Sequence, residues 1–240
     1  MSAPLDTMKP LGRKAYGSIP HLSGSRFGPK DYRASPGHED ILTLRARKGD
    51  EIVVEEKLDG SCCAVANIDG AVVPLIRAGY RADASSYRQH HLFAAWVYAR
   101  QDAFGTALGG RELLAGEWLL QAHGAFAPVE DEALLFRPFD AFDMKGRRRG
   151  RDALEAVCRA VGIEPVPLLH RGEAISVHMV LPRLAPGSEG AVWRCENRRW
   201  GVEFLAKFVR PGKVDGLYLP SVSGGSEVWN FPPERVGATP

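Results

Sequence analysis

Lys57 closes the segment Ile52-Val53-Val54-Glu55-Glu56-Lys57 and is followed at once by Leu58-Asp59-Gly60-Ser61. An apolar β-like run that gives way to Asp-Gly puts this lysine at the lip of a sheet, where a strand passes into a turn. An amine there can attack a phosphorus or carbonyl centre only when unprotonated, and its ordinary pKa of about 10.4 leaves it charged at neutral pH. The chemistry therefore needs companions: cations or a bound metal to lower that value, and acids to hold the metal. Glu117 is one such acid, alone in the apolar run Leu113-Leu114-Ala115-Gly116-Glu117-Trp118-Leu119-Leu120, where a carboxylate between Gly and Trp is costly to bury without a partner. Glu189 is another, at the entrance to Gly190-Ala191-Val192-Trp193-Arg194. Arg77 and Arg81 bring cations back to the rim after a third β-like run, and Lys207 and Arg210 do so near the end of a later one.

The elements that must position these groups follow from periodicity. Ile52–Val54, Cys62–Ile68 and Ala71–Ile76 read as strands, the last two joined by a two-residue Asp69-Gly70 hairpin turn, so an antiparallel sheet carries Lys57. Ser85-Ser86 read as the N-cap of a helix reaching Gly105. His90 and His91 within it have no acid or cysteine at ligand spacing and read as one half-buried and one exposed histidine. Leu113–Leu120, Leu134–Met144, Val166–Leu169, Glu189–Arg194 and Trp200–Val209 read as further strands, and Arg151–Val161 as an amphipathic helix stopped by Gly162. The class is α+β, antiparallel sheets flanked by helices.

Residues 1–50, rich in Gly, Pro, Ser and basic side chains, read as an irregular segment packed on the domain, and Arg26, Lys30 and Arg33 in it mainly as solvated cations. Residues 51–215 form the main domain and 216–240 a short C-terminal extension.

At 240 residues, 45% apolar and 25% charged, the composition is that of an ordinary globular chain. A net charge of +2 permits a nucleic-acid partner without demanding one, although Lys145-Gly146-Arg147-Arg148-Arg149-Gly150-Arg151 concentrates positive charge in one loop. Four cysteines without a Cys-x-x-Cys pair argue against structural zinc and for a reducing compartment. No apolar run approaches the roughly 20 residues of a membrane helix, and the N-terminus has no signal-peptide core, so a cytoplasmic location is expected.

In order, the chain presents Lys57-Leu-Asp-Gly60, Arg77-Ala-Gly79, Gly116-Glu117, Ala141-Phe142-Asp143, Glu189-Gly190-Ala-Val192 and Lys207. This series resembles the covalent nucleotidyltransferase superfamily of ATP-dependent ligases and mRNA-capping enzymes. Within it the sequence looks most like an RNA ligase, since Lys-Leu-Asp-Gly-Ser is typical of RNA ligases and the arginine that DNA ligases place two residues after the glycine is here Cys62. DNA ligase, capping guanylyltransferase and a non-catalytic nucleotide- or RNA-binding module are the alternatives.

The resemblance implies a nucleotidyltransferase domain, ATP-grasp-like in its adenylation fold, without the oligonucleotide-binding barrel of DNA ligases and capping enzymes. It implies that Lys57 attacks the α-phosphate of ATP to form lysyl–AMP, with Asp59, Arg77 and Lys207 as further catalytic groups. Glu56, Arg77, Glu117, Phe142, Glu189 and Lys207 would contact the nucleotide, with Phe142 stacking on adenine and Phe139 the alternative. Glu117 and Glu189 would hold Mg²⁺, or Mn²⁺ in its place. The partners are RNA 5′-phosphate and 3′-hydroxyl ends, gripped by residues 1–50, by the basic loop or by a partner protein. One departure is notable: the superfamily's last motif has two lysines one residue apart, whereas here Lys207 has Leu205 and Val209 at those positions, with Arg210 as a stand-in.

Overall fold

The computed structural model describes residues 8–197 and 201–237. Two four-stranded antiparallel sheets face each other across a cleft. The elements along the chain are α1 (Pro36–Thr43), β1 (Asp50–Lys57), β2 (Ser61–Ile68), β3 (Ala71–Ile76), α2 (Arg88–Tyr98), α3 (Gln101–Ala107), β4 (Leu113–Trp118), β5 (Phe136–Phe142), α4 (Arg151–Val161), β6 (Leu168–Gly172), β7 (Gly190–Asn197) and β8 (Gly201–Val209). The first sheet runs β6-β1-β7-β8 and the second β3-β2-β4-β5. The turn Leu58-Asp59-Gly60 is thus the crossing from one sheet to the other. Its position at the junction brings Lys57 into reach of side chains from both.

The expected α+β class holds, and Asp69 and Gly70 take the positive φ values, 52° and 88°, that a tight hairpin turn requires. Several boundaries differ. The helix expected from Ser85 to Gly105 is two helices, broken where Arg100 leaves helical geometry and lays its guanidinium 4.4 Å from the Trp96 ring. Ser85 does not cap it; its hydroxyl lies against His90 Nδ1 instead. The strand expected at Val166–Leu169 starts at Leu168, because Pro165 and Pro167 have no N–H to give a ladder. The supposedly irregular N-terminal segment contains α1, with Ser35 accepting from His38 N and Pro36 in the first turn. Trp200, at the start of the last expected strand, lies outside the described residues.

Both terminal segments are built into the body. Leu22 N donates to Lys207 O and Lys207 N to Pro20 O, so the N-terminal segment pairs with β8. Phe231 is 3% exposed in the cluster of Phe93, Trp96, Trp118 and Phe136 that fills the space between the second sheet and α2 to α4. A second cluster, around Ile52, Val54 and Trp193, lies beneath the first sheet. The basic loop is largely neutralised, with Arg147 on Asp143, Arg148 on Asp140, Arg149 on Glu112 and Arg151 on Glu55.

Candidate active site

A cleft of ≈ 450 Å³ opens between the sheets and is lined by Lys57, Arg77, Glu117, Glu189 and Lys207, five groups the sequence singles out. Lys57 Nζ lies 2.6 Å from Glu189 Oε2. Backbone pairing holds this contact in register: Glu189 N donates to Lys57 O and Arg210 N to Glu189 O, each at 3.0 Å. Glu117 approaches from the second sheet, where its Oε1 accepts from Gly60 N at 3.1 Å. Two of the four motif glycines show why close approach requires them, since a Cβ at Gly60 would collide with the Trp118 carbonyl and one at Gly190 with the Phe208 carbonyl.

The N-terminal segment supplies the outer wall. Arg77 Nη2 donates to Ser18 Oγ at 3.1 Å and Gly17 O at 3.3 Å. Asp31 Oδ1 lies 3.5 Å from Lys207 Nζ and 3.1 Å from His21 Nε2. Glu56 lies on the opposite face of β1 from Lys57, as alternation demands, and accepts from Ala185 N while still bordering the cleft.

Two expected site residues stand elsewhere. Asp59 turns its carboxylate to Gly124 N, at 2.7 Å, and to Lys213, and is not on the cleft wall. Phe142 is 8% exposed, packed among Ala64, Ala66, Leu75 and Leu113, and Phe139 takes the place on the wall expected of it. The cause is a register shift between Ala115 and Gly116 in the β4–β5 pairing, which swings Phe139 toward the cleft. Tyr16 then covers both rings, with centroids 4.9 Å from Phe139 and 6.2 Å from Phe142. Arg210 is not on the wall either; it follows β8.

Sequence reasoning missed the floor and one end of the cleft. Arg194 Nη1 lies 2.6 Å from Asp140 Oδ1 and 3.4 Å from Glu55 Oε2, and Arg151 Nη1 lies 2.9 Å from Glu55 Oε1. Tyr16 donates to Asp140 Oδ2 at 2.6 Å. Glu55 had a legible signal, because it is two residues before Lys57 and so shares its face. Ser61, His90 and His123 also line the cleft; Ser61 closes the Lys57 motif, whereas no local signal marks the two histidines.

Electrostatics follow from this packing. Burial alone would lower the Lys57 pKa, but Glu189 and then Glu117 outweigh it and raise it. The protein's own groups therefore keep the amine protonated, the reverse of what attack requires. Burial pushes Glu117 up to about 7, against the pull of Lys57 and with the help of Glu189 and Asp59. Lys207 is lowered, by burial and then by Lys57. No cluster of three or more His, Cys, Asp or Glu among the described residues forms a closed metal site. Two carboxylates on one cleft, with room for phosphate and water oxygens, nevertheless fit a hard divalent cation of the Mg²⁺ type.

No curated protein matches the chain. Among solved structures, a point mutant of the Naegleria gruberi RNA ligase in its apo form has a TM-score of 0.51 at 16% identity, over 94% of this chain and 64% of that one. The same ligase with PPi gives 0.51 at 16%, over 93% and 64%, and a mutant with AMP and Mn gives 0.51 at 17%, over 80% and 59%. At these identities the likeness is one of fold, and the chain spans about three-fifths of the length of these structures. No helix among the described residues is long and apolar enough to cross a membrane. The RNA ligase family model matches residues 50–209, from the first residue of β1 to the last of β8, and the chain belongs to the RNA ligase family.

Proposed function

We propose that this protein is an ATP-dependent RNA ligase that joins 5′-phosphate and 3′-hydroxyl ends through a lysyl–AMP intermediate at Lys57. The observation that carries the reading is the convergence of Lys57, Glu117, Glu189, Arg77 and Lys207 on one cleft with Phe139 and Tyr16 at its other side. Lys57 Nζ, once deprotonated, attacks the α-phosphorus; the N–P bond forms as the bond to pyrophosphate breaks. Glu117 and Glu189 would hold a divalent metal, Mg²⁺ or Mn²⁺, which supplies positive charge at the phosphate oxygens and draws away the two carboxylates that hold the Lys57 proton. Arg77 and Lys207 neutralise the transferring phosphate. Phe139 stacks on adenine and Tyr16 closes that end.

The AMP then passes to the 5′-phosphate of an RNA strand, and a 3′-hydroxyl displaces it to seal the junction. The catalytic unit is residues 51–215, with the flanking segments completing its walls. Free thiols at Cys62, Cys63, Cys158 and Cys195 suit a cytoplasmic setting. The test supplies ATP, or GTP in a parallel reaction, with magnesium and a 5′-phosphorylated RNA strand. ATP should yield adenylylated and then joined RNA; joining absent with ATP, or supported by GTP alone, would refute the assignment.

A further inference from the structure

One end of the cleft takes no part in the chemistry above. His90, 8% exposed on α2, has both ring nitrogens engaged: Nδ1 lies 2.6 Å from Ser85 Oγ and Nε2 lies 2.8 Å from Ser61 Oγ. Burial, then His123 and His91, lower its pKa to about 4. At neutral pH the ring therefore has one N–H and one lone pair.

A hydroxyl oxygen can accept twice, so both tautomers satisfy the two serines, and only the one with the hydrogen on Nε2 leaves the Ser61 hydroxyl hydrogen free for a ligand. In that tautomer Ser85 Oγ accepts from Tyr87 N at 3.3 Å and donates its own hydrogen to Nδ1. The ring hydrogen is then on Nε2 and donates to Ser61 Oγ. Cys63 Sγ, 4.0 Å from the same oxygen, is a second and weaker donor to it. Ser61 Oγ receives from the ring and the thiol, so its own hydrogen is directed elsewhere. Ser61 immediately follows Gly60 and borders the cleft, where that hydrogen can meet an anion.

We propose that Ser61 Oγ is a phosphate-binding donor of this cleft and that His90 is the positioning residue that turns its hydroxyl toward the ligand. The inference rests on the nucleotidyl-transfer reading, and it names a group with phosphate chemistry. Two phosphates qualify, the leaving pyrophosphate of ATP and the 5′-phosphate of the RNA.

The test follows three steps in the full chain: adduct formation with α-labelled ATP, its reversal by pyrophosphate, and AMP transfer from adenylylated protein to a 5′-phosphorylated RNA. Ser61→Ala should slow the step whose phosphate it holds by about tenfold or more, the loss of one hydrogen bond to a charged group. His90→Ala should match it, His90→Gln, whose amide can still donate to Ser61, should restore most of the rate, and His90→Ala should add nothing in a Ser61→Ala background. Loss in the first two steps assigns the phosphate to the nucleotide, and loss confined to the third assigns it to the RNA end. Wild-type rates for Ser61→Ala in all three steps would overturn the proposal, as would a His90→Ala loss undiminished by prior removal of Ser61. Absence of adduct in the wild-type protein would instead remove the ligase reading, and this inference with it.

Discussion

The floor of the cleft and its reactive end both concentrate charge, but they treat it differently. At the floor Arg194, 1% exposed, joins Glu55 of its own sheet to Asp140 of the other, and Arg151 completes the pairing of Glu55. Each buried carboxylate there has cations against it. At the reactive end Lys57, Glu117, Glu189 and Lys207 crowd together with partial exposure and uneven pairing, and the proton affinities of Lys57, Glu117 and Lys207 are displaced. Sealed, fully partnered charges hold two sheets in one geometry, whereas crowded and accessible ones keep interaction energy available for a ligand.

The contrast can be broken most forcefully at the floor. Arg194→Met leaves Glu55 and Asp140 buried without their shared cation, and a loss of about 3–5 kcal/mol is expected from urea unfolding. Lys57→Met, at the part-exposed end, should cost clearly less, because Glu117 there, already pushed up to about 7, can take up a proton when the cation is gone. Equal losses would erase the distinction between scaffold and site.

The two phenylalanines of β5 sharpen it. Phe142→Ala should cost about 3 kcal/mol of stability, as removal of a buried ring does, and leave the ATP dependence of adduct formation unchanged. Phe139→Ala should weaken ATP binding about tenfold, since stacking on one base is worth about 1–3 kcal/mol. An ATP defect in the Phe142 variant, with none in the Phe139 variant, would return the base to the residue named by the sequence motif.

A further difference is the pH dependence of Glu117. Its folded pKa of about 7 exceeds the ordinary 4.5, so the folded state binds this proton more tightly than the unfolded chain does. The resulting stabilisation is present below the unfolded value and is lost as the pH rises through about 7. In metal-free buffer the Tm of Glu117→Gln relative to wild type should therefore climb between about pH 5 and about pH 8. A constant difference across that range would show that Glu117 is ionised throughout.

What could be read from the sequence divides along the same line. Lys57, Glu117, Glu189 and Lys207 were legible because each interrupts or ends a short apolar run, and the alternation of strand side chains then fixes its face. Of the floor only Glu55 was, by its spacing from Lys57; Asp140, Arg151 and Arg194 meet it only after two sheets and a helix pack, and nothing local to Asp140 or Arg194 announces a partner more than fifty residues away. Phe139 took the wall position through a bulge beside Pro138, whose missing N–H is the local sign that β5 departs from a regular ladder. Asp59 left the cleft because Lys213 and the Gly124 amide, both distant in sequence, satisfy it first. Tyr16, Gly17 and Ile19 became part of the wall because the N-terminal segment pairs along β8, an arrangement set by tertiary packing and not by propensity.

The central claim is that Lys57 becomes covalently adenylylated. Intact-mass measurement of protein freed of any resident nucleotide, after incubation with ATP and magnesium, tests it most directly. The account predicts a gain of one AMP that is acid-labile, reversed by pyrophosphate and absent in Lys57→Met. An adduct that persists in the Lys57→Met variant, or no adduct in folded wild-type protein, would contradict it.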